Sequence, residues 1–207
     1  VLLERDPLDV GTAGSMTLSA KVKEQALRFG FSLAGITTPA PPPHWSEFQD
    51  WLAGGWNASM DYMTDPRRAD ARLLLPECRS ILVLALPYPN PARISEVPAR
   101  TGRISSYARG IDYHLLAQEK LEDLAAFILH EAGVSIPYRC CSDSAPLLER
   151  DLAQQAGLGW IGRNTCLIHP RQGSAFFLAE ILLGIDLEPD VPFTADRCGT
   201  CHRCVEA

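Results

Sequence analysis

The sequence predicts an α/β or α+β fold, because helical and strand-like segments alternate along the chain with no internal repeat or low-complexity tract. Two segments carry this most strongly. Residues 81–86 form an unbroken apolar run between Pro76 and Pro87, the pattern of a strand buried on both faces. Tyr113–Ala132 sets Leu121, Leu124, Ala125 and Ile128 on one helical stripe, with Asp112 as a cap before it and Gly133 as a stop after it.

The other elements follow in order. Residues 1–15 hold Glu4, Arg5, Asp6 and Asp9 and no long apolar segment, so they read as a disordered leader or upstream read-through and not as a secretory signal. Met16 opens the first periodic stretch, in which Leu18, Val22, Ala26 and Phe29 share a helical face that Gly30 can close. Residues 31–37 read as a short strand, ended by the proline-rich loop 39–43, and a short helix is expected over residues 45–52. After the 81–86 strand, a loop rich in proline and arginine runs to Gly102. Beyond the long helix, a shorter one is expected from Ala145 to Ala156, with Pro146 in its first turn and Gly157 as its stop. Residues 165–168 and 174–183 are apolar and strand-like.

At 207 residues, 46% hydrophobic and 21% charged, with a mean hydropathy of -0.03, the chain has the balance of a soluble globular protein. It is long enough for one core, or one core and a small module. Its longest apolar runs, 81–86 and 176–183, fall far short of a membrane span, so no membrane partner is expected and the expected compartment is the cytoplasm. A net charge of -6 argues against a protein that coats nucleic acid. That charge is uneven: from Arg67 to Arg109 there are eight arginines against Asp70, Glu77 and Glu96, a local balance of +5 that leaves -11 for the rest. Such a strip suits a phosphate-bearing ligand met locally, and a solvated loop face accounts for it equally well.

Seven cysteines, three of them in the last ten residues, point to metal or redox chemistry more than to disulfides in a reducing compartment. Cys198, Cys201 and Cys204 are spaced C-x2-C-x2-C, which lets one tight loop turn three soft thiolates toward an iron–sulfur core. A fourth cysteine before proline completes the bacterial ferredoxin run. The sequence stops three residues after Cys204, where that cysteine is due, and this reads as truncation inside the motif. On the residues alone, two rivals stay open. Cys198, Cys201 and His202 make a C-x-x-C-H haem-attachment pattern, which needs an exported chain. The three cysteines with His202 also form a donor set for tetrahedral zinc.

Asp143 stands just before the shorter helix. It can cap that helix, as can Ser144. Alternatively, it is a carboxylic acid at a strand-to-helix junction, facing a ligand and able to donate a proton. Asp112 carries the same two readings. With His114 it approaches the D-x-H-x-x-G cobalamin pattern, but Ala117 stands where the glycine belongs, so no histidine–cobalt bond follows. Gly157, Gly159 and Gly162 spell G-x-G-x-x-G, yet a helix precedes them and a strand-like segment follows, the reverse of a dinucleotide site. They read as a helix stop and a tight connection.

Taken together, residues 72–80, 103–114, 143–150, 157–165, 173–180 and 189–192 followed by the cysteines resemble epoxyqueuosine reductase, over roughly residues 16–207. Each segment alone is modest; order and spacing carry the resemblance. It implies a nitroreductase-like domain holding cobalamin in place of flavin (16–190), then from residue 191 the start of a ferredoxin-like module with 4Fe–4S clusters. Asp143 is implied as proton donor, Asp112 and Tyr113 as lining the substrate side, and Arg68, Ser105, Asp143, Leu167 and Leu178 as corrin contacts. Cys198, Cys201 and Cys204 become cluster ligands, while Cys78, Cys140, Cys141 and Cys166 match no ligand position. The implied reaction removes the epoxide oxygen of epoxyqueuosine at the wobble base of tRNA, with clusters feeding electrons to cobalt and Asp143 protonating the departing oxygen. The implied partners are the tRNA anticodon region bearing epoxyqueuosine and an electron donor.

The 207 residues are expected to bind cobalamin but not to turn over unaided, because the remaining cluster ligands are expected downstream. Two readings of other classes compete. One is another corrinoid iron–sulfur reductase, such as a reductive dehalogenase, an enzyme type that is commonly exported. The other is a non-enzymatic corrinoid-binding protein with a zinc knuckle.

Overall fold

The computed structural model describes residues 16–88, 102 and 104–206. The expected leader and the stretch holding Arg93, Arg100 and Arg103 lie outside the described residues. The elements run α1 (Leu18–Arg28), β1 (Leu33–Thr37), α2 (Trp45–Ala53), β2 (Ser80–Pro87), α3 (Tyr113–Ala132), β3 (Tyr138–Cys141), α4 (Glu149–Gln155), β4 (Trp160–Ile161), β5 (Leu167–Ile168) and β6 (Phe176–Leu183). Short 3-10 turns fill the connection from α2 to β2 and precede α3. β1, β2, β6 and β3 form one antiparallel sheet in that order, while β4 and β5 pair separately as a small ribbon. The class is therefore α+β.

β2 runs through the middle of both cores. Leu82, Leu84 and Leu86 pack against Val22, Ala26, Leu121, Leu124 and Ile128 of α1 and α3. Ile81 and Val83 point the other way, onto Ala153, Ala156 and Leu158 in and after α4. Helices cover both faces, which is why an antiparallel strand reads as a continuous apolar run instead of an alternating one. α3 has the bounds read from the sequence: Asp112 accepts from the amide of His114 at 3.0 Å, and Gly133 ends the helix in the left-handed conformation. Among the described residues no helix is long and apolar enough to cross a membrane.

Three elements differ from expectation, one of them β4, a two-residue strand inside the stretch read as a tight connection. The helix expected over 145–156 begins only at Glu149, because the preceding residues spend their polar groups on tertiary partners. Ser142 Oγ donates to the carbonyl of Leu178 at 3.1 Å, and the carbonyl of Leu147 accepts from Arg68 Nη1 at 3.2 Å. Pro146 therefore lies in a loop and not in a first turn. β3, implied only as the strand side of the junction at Asp143 and given no bounds, is an edge strand paired to β6. The glycine reading holds. Gly157, at φ +78°, closes α4, and a Cβ on Gly159 would lie 2.3 Å from the carbonyl oxygen of Ile168 on the neighbouring strand β5.

Candidate active site

The loop from β3 to α4 carries the candidate acid. Cys141 ends β3 opposite Glu180 of β6. Asp143 then takes φ +53°, a left-handed conformation that aspartate tolerates better than most side chains, and this leaves it exposed at the rim of the sheet. Its Oδ2 accepts from the Tyr113 hydroxyl, and its amide donates to Glu149 Oε1 at 2.9 Å. The residue before α4 is Leu148, with no capping side chain, so neither Asp143 nor Ser144 caps that helix. Of the two aspartates with that reading, only Asp112 is a cap.

Tyr113 is fixed from behind. Its ring lies flat on Phe177, centroids 3.7 Å apart and planes 3° from parallel, and it also stacks on His114 at 4.1 Å. Burial, then the bond to Asp143, push the phenol well above its ordinary range, so the hydroxyl stays a neutral donor. Asp112 is committed elsewhere. Hydrogen bonds from His114, including Nδ1 at 2.8 Å, hold its carboxyl below the usual range. Of the pair expected on the substrate side, Tyr113 is the one that meets Asp143.

Beside Asp143 opens a cavity of about 1050 Å³. Four of the expected corrin contacts, Arg68, Asp143, Leu167 and Leu178, line it. Ser105 is not among the lining residues, although Tyr107 is. Arg68 Nε is buried with no hydrogen-bond partner among the described residues, a donor left available to the cavity. His44 at the start of α2 also lines it; its Nδ1 meets the buried carboxylate of Asp151 at 2.7 Å, and its amide donates to the same group at 3.1 Å. This tie between α2 and α4 joins residues 107 positions apart and leaves no local pattern to read.

Two further acids emerge behind Asp143. Glu180 is wholly buried in β6, and neither of its oxygens has a partner among the described residues. Burial, then the nearby charges of Glu149 and Asp143, push it well above the ordinary carboxyl range. Glu149 is pushed up to about 8, first by burial and then by Asp143. A signal for Glu180 existed: it is the lone acid in the apolar run 176–183.

The cysteine loop lies near β4. Cys198 Sγ accepts from Trp160 Nε1 at 3.5 Å, and Arg163 donates to the carbonyls of Gly199 at 2.7 Å and Cys201 at 3.1 Å. The guanidinium also lies 2.9 Å from His202 Nδ1, a placement that opposes a zinc ion on that imidazole. Among the described residues, no three histidine, cysteine or carboxylate side chains gather around one point as metal ligands do.

Residues 68–144 match the family model described as Epoxyqueuosine reductase QueG, DUF1730. The epoxyqueuosine reductase of Synechococcus sp. (strain RCC307) is 40% identical over 194 residues, which is 92% of this chain and 59% of the relative. That of Pseudomonas aeruginosa is 35% identical over 194 residues, 91% of this chain and 54% of the relative. The chain belongs to the epoxyqueuosine reductase family. It spans rather more than half the length of these relatives. The solved epoxyqueuosine reductase of Streptococcus thermophilus matches with a TM-score of 0.83 at 27% identity, over 93% of this chain and 52% of that one. An epoxyqueuosine reductase solved with an epoxyqueuosine-modified tRNA stem loop gives 0.77 at 31% identity, over 92% and 51%. A catabolic reductive dehalogenase shares the fold alone, with a TM-score of 0.52 at 19% identity. The family read from the ordered motifs is thus borne out.

Proposed function

We propose that the whole protein reduces epoxyqueuosine to queuosine at the wobble position of tRNA, using cobalamin, 4Fe–4S clusters and Asp143 as the acid. The observation that carries the reading is Asp143, held by Tyr113 at the edge of a cavity of about 1050 Å³, in a chain of the epoxyqueuosine reductase family. The cavity suits a corrin: Leu167, Leu178 and Phe48 offer apolar surface, and the unpartnered Nε of Arg68 offers a donor to a polar ring substituent. Ser105 stays in this reading as a neighbour of Tyr107 and not as a wall residue. When bound, cobalamin supplies the reducing equivalents at the substrate. Tyr113 steadies Asp143, and Asp143 gives its proton to the departing oxygen.

Cys198, Cys201 and Cys204 are the proposed ligands of a 4Fe–4S cluster, with soft thiolates as the donor set and the Trp160 N–H and Arg163 charge beside an anionic core. An electron donor feeds that cluster. The tRNA anticodon region is the proposed partner, supported by the relative solved with a modified stem loop, and the cytoplasm is the proposed compartment.

The direct test of the cavity is a titration of the 207-residue chain with cob(II)alamin, followed by electron paramagnetic resonance. A changed cobalt spectrum and corrin retained through desalting are expected, and Leu178→Trp, which puts a bulkier ring on the cavity wall, is expected to weaken both. An unchanged spectrum with no retained corrin in the wild-type chain would remove the cofactor assignment.

A further inference from the structure

Residues 38–69 add nothing to either apolar core: neither packed cluster holds a residue between Ile36 and Ala71. Yet this segment carries Trp45, Phe48, Trp51, Trp56, Tyr62 and Met63. No residue of α2 is buried. Trp45, Phe48 and Trp51, three apart on one helical face, stack on one another, with ring centroids 5.7 and 5.9 Å apart. A short helix normally owes its stability to an apolar face packed on a core, and α2 has no such support. Phe48 and Trp51, with Tyr62 and Met63, line the cavity beside Asp143 instead.

Apart from bonds between chain neighbours, hydrogen bonds among the described residues tie this segment to the rest of the domain at two places, one near each end. At the far end, Arg68 Nη1 donates to the carbonyl of Leu147 at 3.2 Å. At the near end, His44 meets Asp151 of α4 twice, through its amide at 3.1 Å and through Nδ1 at 2.7 Å. The Asp151 side chain is only 5% exposed, and His44 supplies both of its bonds among the described residues. A buried carboxylate holds such donors firmly, because leaving it bare is costly. His44 stands immediately before α2, yet its side chain caps nothing in that helix. The task of the imidazole is therefore tertiary.

We propose that residues 38–69 form a flap that retains the cofactor, and that the His44–Asp151 pair is the clasp keeping the aromatic face of α2 against the bound corrin. The inference rests on the corrinoid reading above. His44 and Asp151 are positioning residues, acting through Phe48 and Trp51. The occupant is the corrinoid because the aromatic face shares its cavity with Leu167 and Leu178, and about 1050 Å³ is at the top of the range for small-molecule sites, as a macrocycle requires. Without the clasp the flap spends part of its time away from the cavity. The apparent affinity then falls with the fraction of chains whose wall is in place. Most of that loss falls on dissociation, since an open wall lets the corrin leave.

Two measurements on the 207-residue chain test it, amide hydrogen exchange and titration with cob(II)alamin. His44 is half exposed and belongs to neither core, so His44→Ala leaves the packed domain in place. This variant is expected to speed exchange of the α2 amides while leaving those of α3 unchanged, and cob(II)alamin is expected to slow α2 exchange in the wild type. The dissociation constant for cob(II)alamin should rise about tenfold or more in His44→Ala, with faster release. His44→Asn, whose side-chain amide donates from nearly the place of Nδ1, should restore most of the affinity. Unchanged α2 exchange in His44→Ala, or an unchanged dissociation constant once the flap is loosened, overturns the clasp. A His44→Asn variant as weak as His44→Ala overturns it as well, since the ring itself then meets the corrin. Each of these results leaves the corrinoid reading standing. A wild-type chain that binds no cob(II)alamin removes that reading and the role of the flap with it.

Discussion

Replacing Glu149 by glutamine removes one raised carboxyl while keeping its size and the oxygen that accepts from the Asp143 amide. In the folded chain Glu149 is pushed up to about 8 from an ordinary 4.5, by burial first and the Asp143 charge second. Below the ordinary value, folded and unfolded chains both hold this proton. Between it and the folded value only the folded chain does, so stability falls as pH rises through that window and levels off above it. One proton bound only by the folded state costs about 1.4 kcal/mol of stability per pH unit gained. From pH 5.5 to 7.5 that is about 3 kcal/mol at most, and about half of it once partial exposure of Glu149 is allowed for. Glu180 contributes with the same sign in wild type and variant and largely cancels in the comparison. Glu149→Gln should therefore gain on the wild type by roughly 1–3 kcal/mol between the two pH values, or about 3–10 °C in relative Tm for a domain of this size. Scanning calorimetry of both proteins at pH 5.5 and 7.5 reads this difference. Tm values that shift in parallel would show that Glu149 titrates normally and that the reasoning about its burial is wrong.

Two predictions concern the scaffold. Leu121, wholly buried between α3 and the sheet, should cost about 2–5 kcal/mol as Leu121→Ala, read by urea unfolding. Gly159→Ala should also destabilise, because its Cβ would meet the Ile168 carbonyl at 2.3 Å and backbone must move; a cost above about 1 kcal/mol is expected, with corrin binding weakened through the displaced Leu167.

What the residues revealed depended on whether the information was local. α3 was legible because a cap, an apolar stripe and a stop all lie within the segment itself. β2 was legible because burial on both faces leaves no polar position in the run. The start of α4 was not: Pro146 suits a first helical turn, but Ser142 and Leu147 bond to β6 and to Arg68, partners 36 and 79 residues away. β3 is a four-residue edge strand containing Arg139, and only its pairing with β6 makes it a strand. The same holds for the site. Asp143 could be named from its place before a helix and from the family resemblance, but its bond to Tyr113 spans 30 residues, and the late start of α4 at Glu149 is what frees it from capping. Glu180 could have been flagged as an acid inside an apolar strand; that it lies behind Asp143 depends on the β3–β6 register.

The most direct test of the central assignment is single-turnover conversion of an epoxyqueuosine-bearing tRNA stem loop by the whole protein, loaded with cobalamin and clusters, with the nucleosides measured by mass spectrometry. The wild type should yield queuosine. Asp143→Asn, which cannot release a proton at working pH, should bind cobalamin normally and slow conversion by about 10²–10⁴-fold. A loaded wild type that leaves the epoxide intact, or an Asp143→Asn variant that forms queuosine at the wild-type rate, would contradict the assignment of Asp143 as the acid of this site.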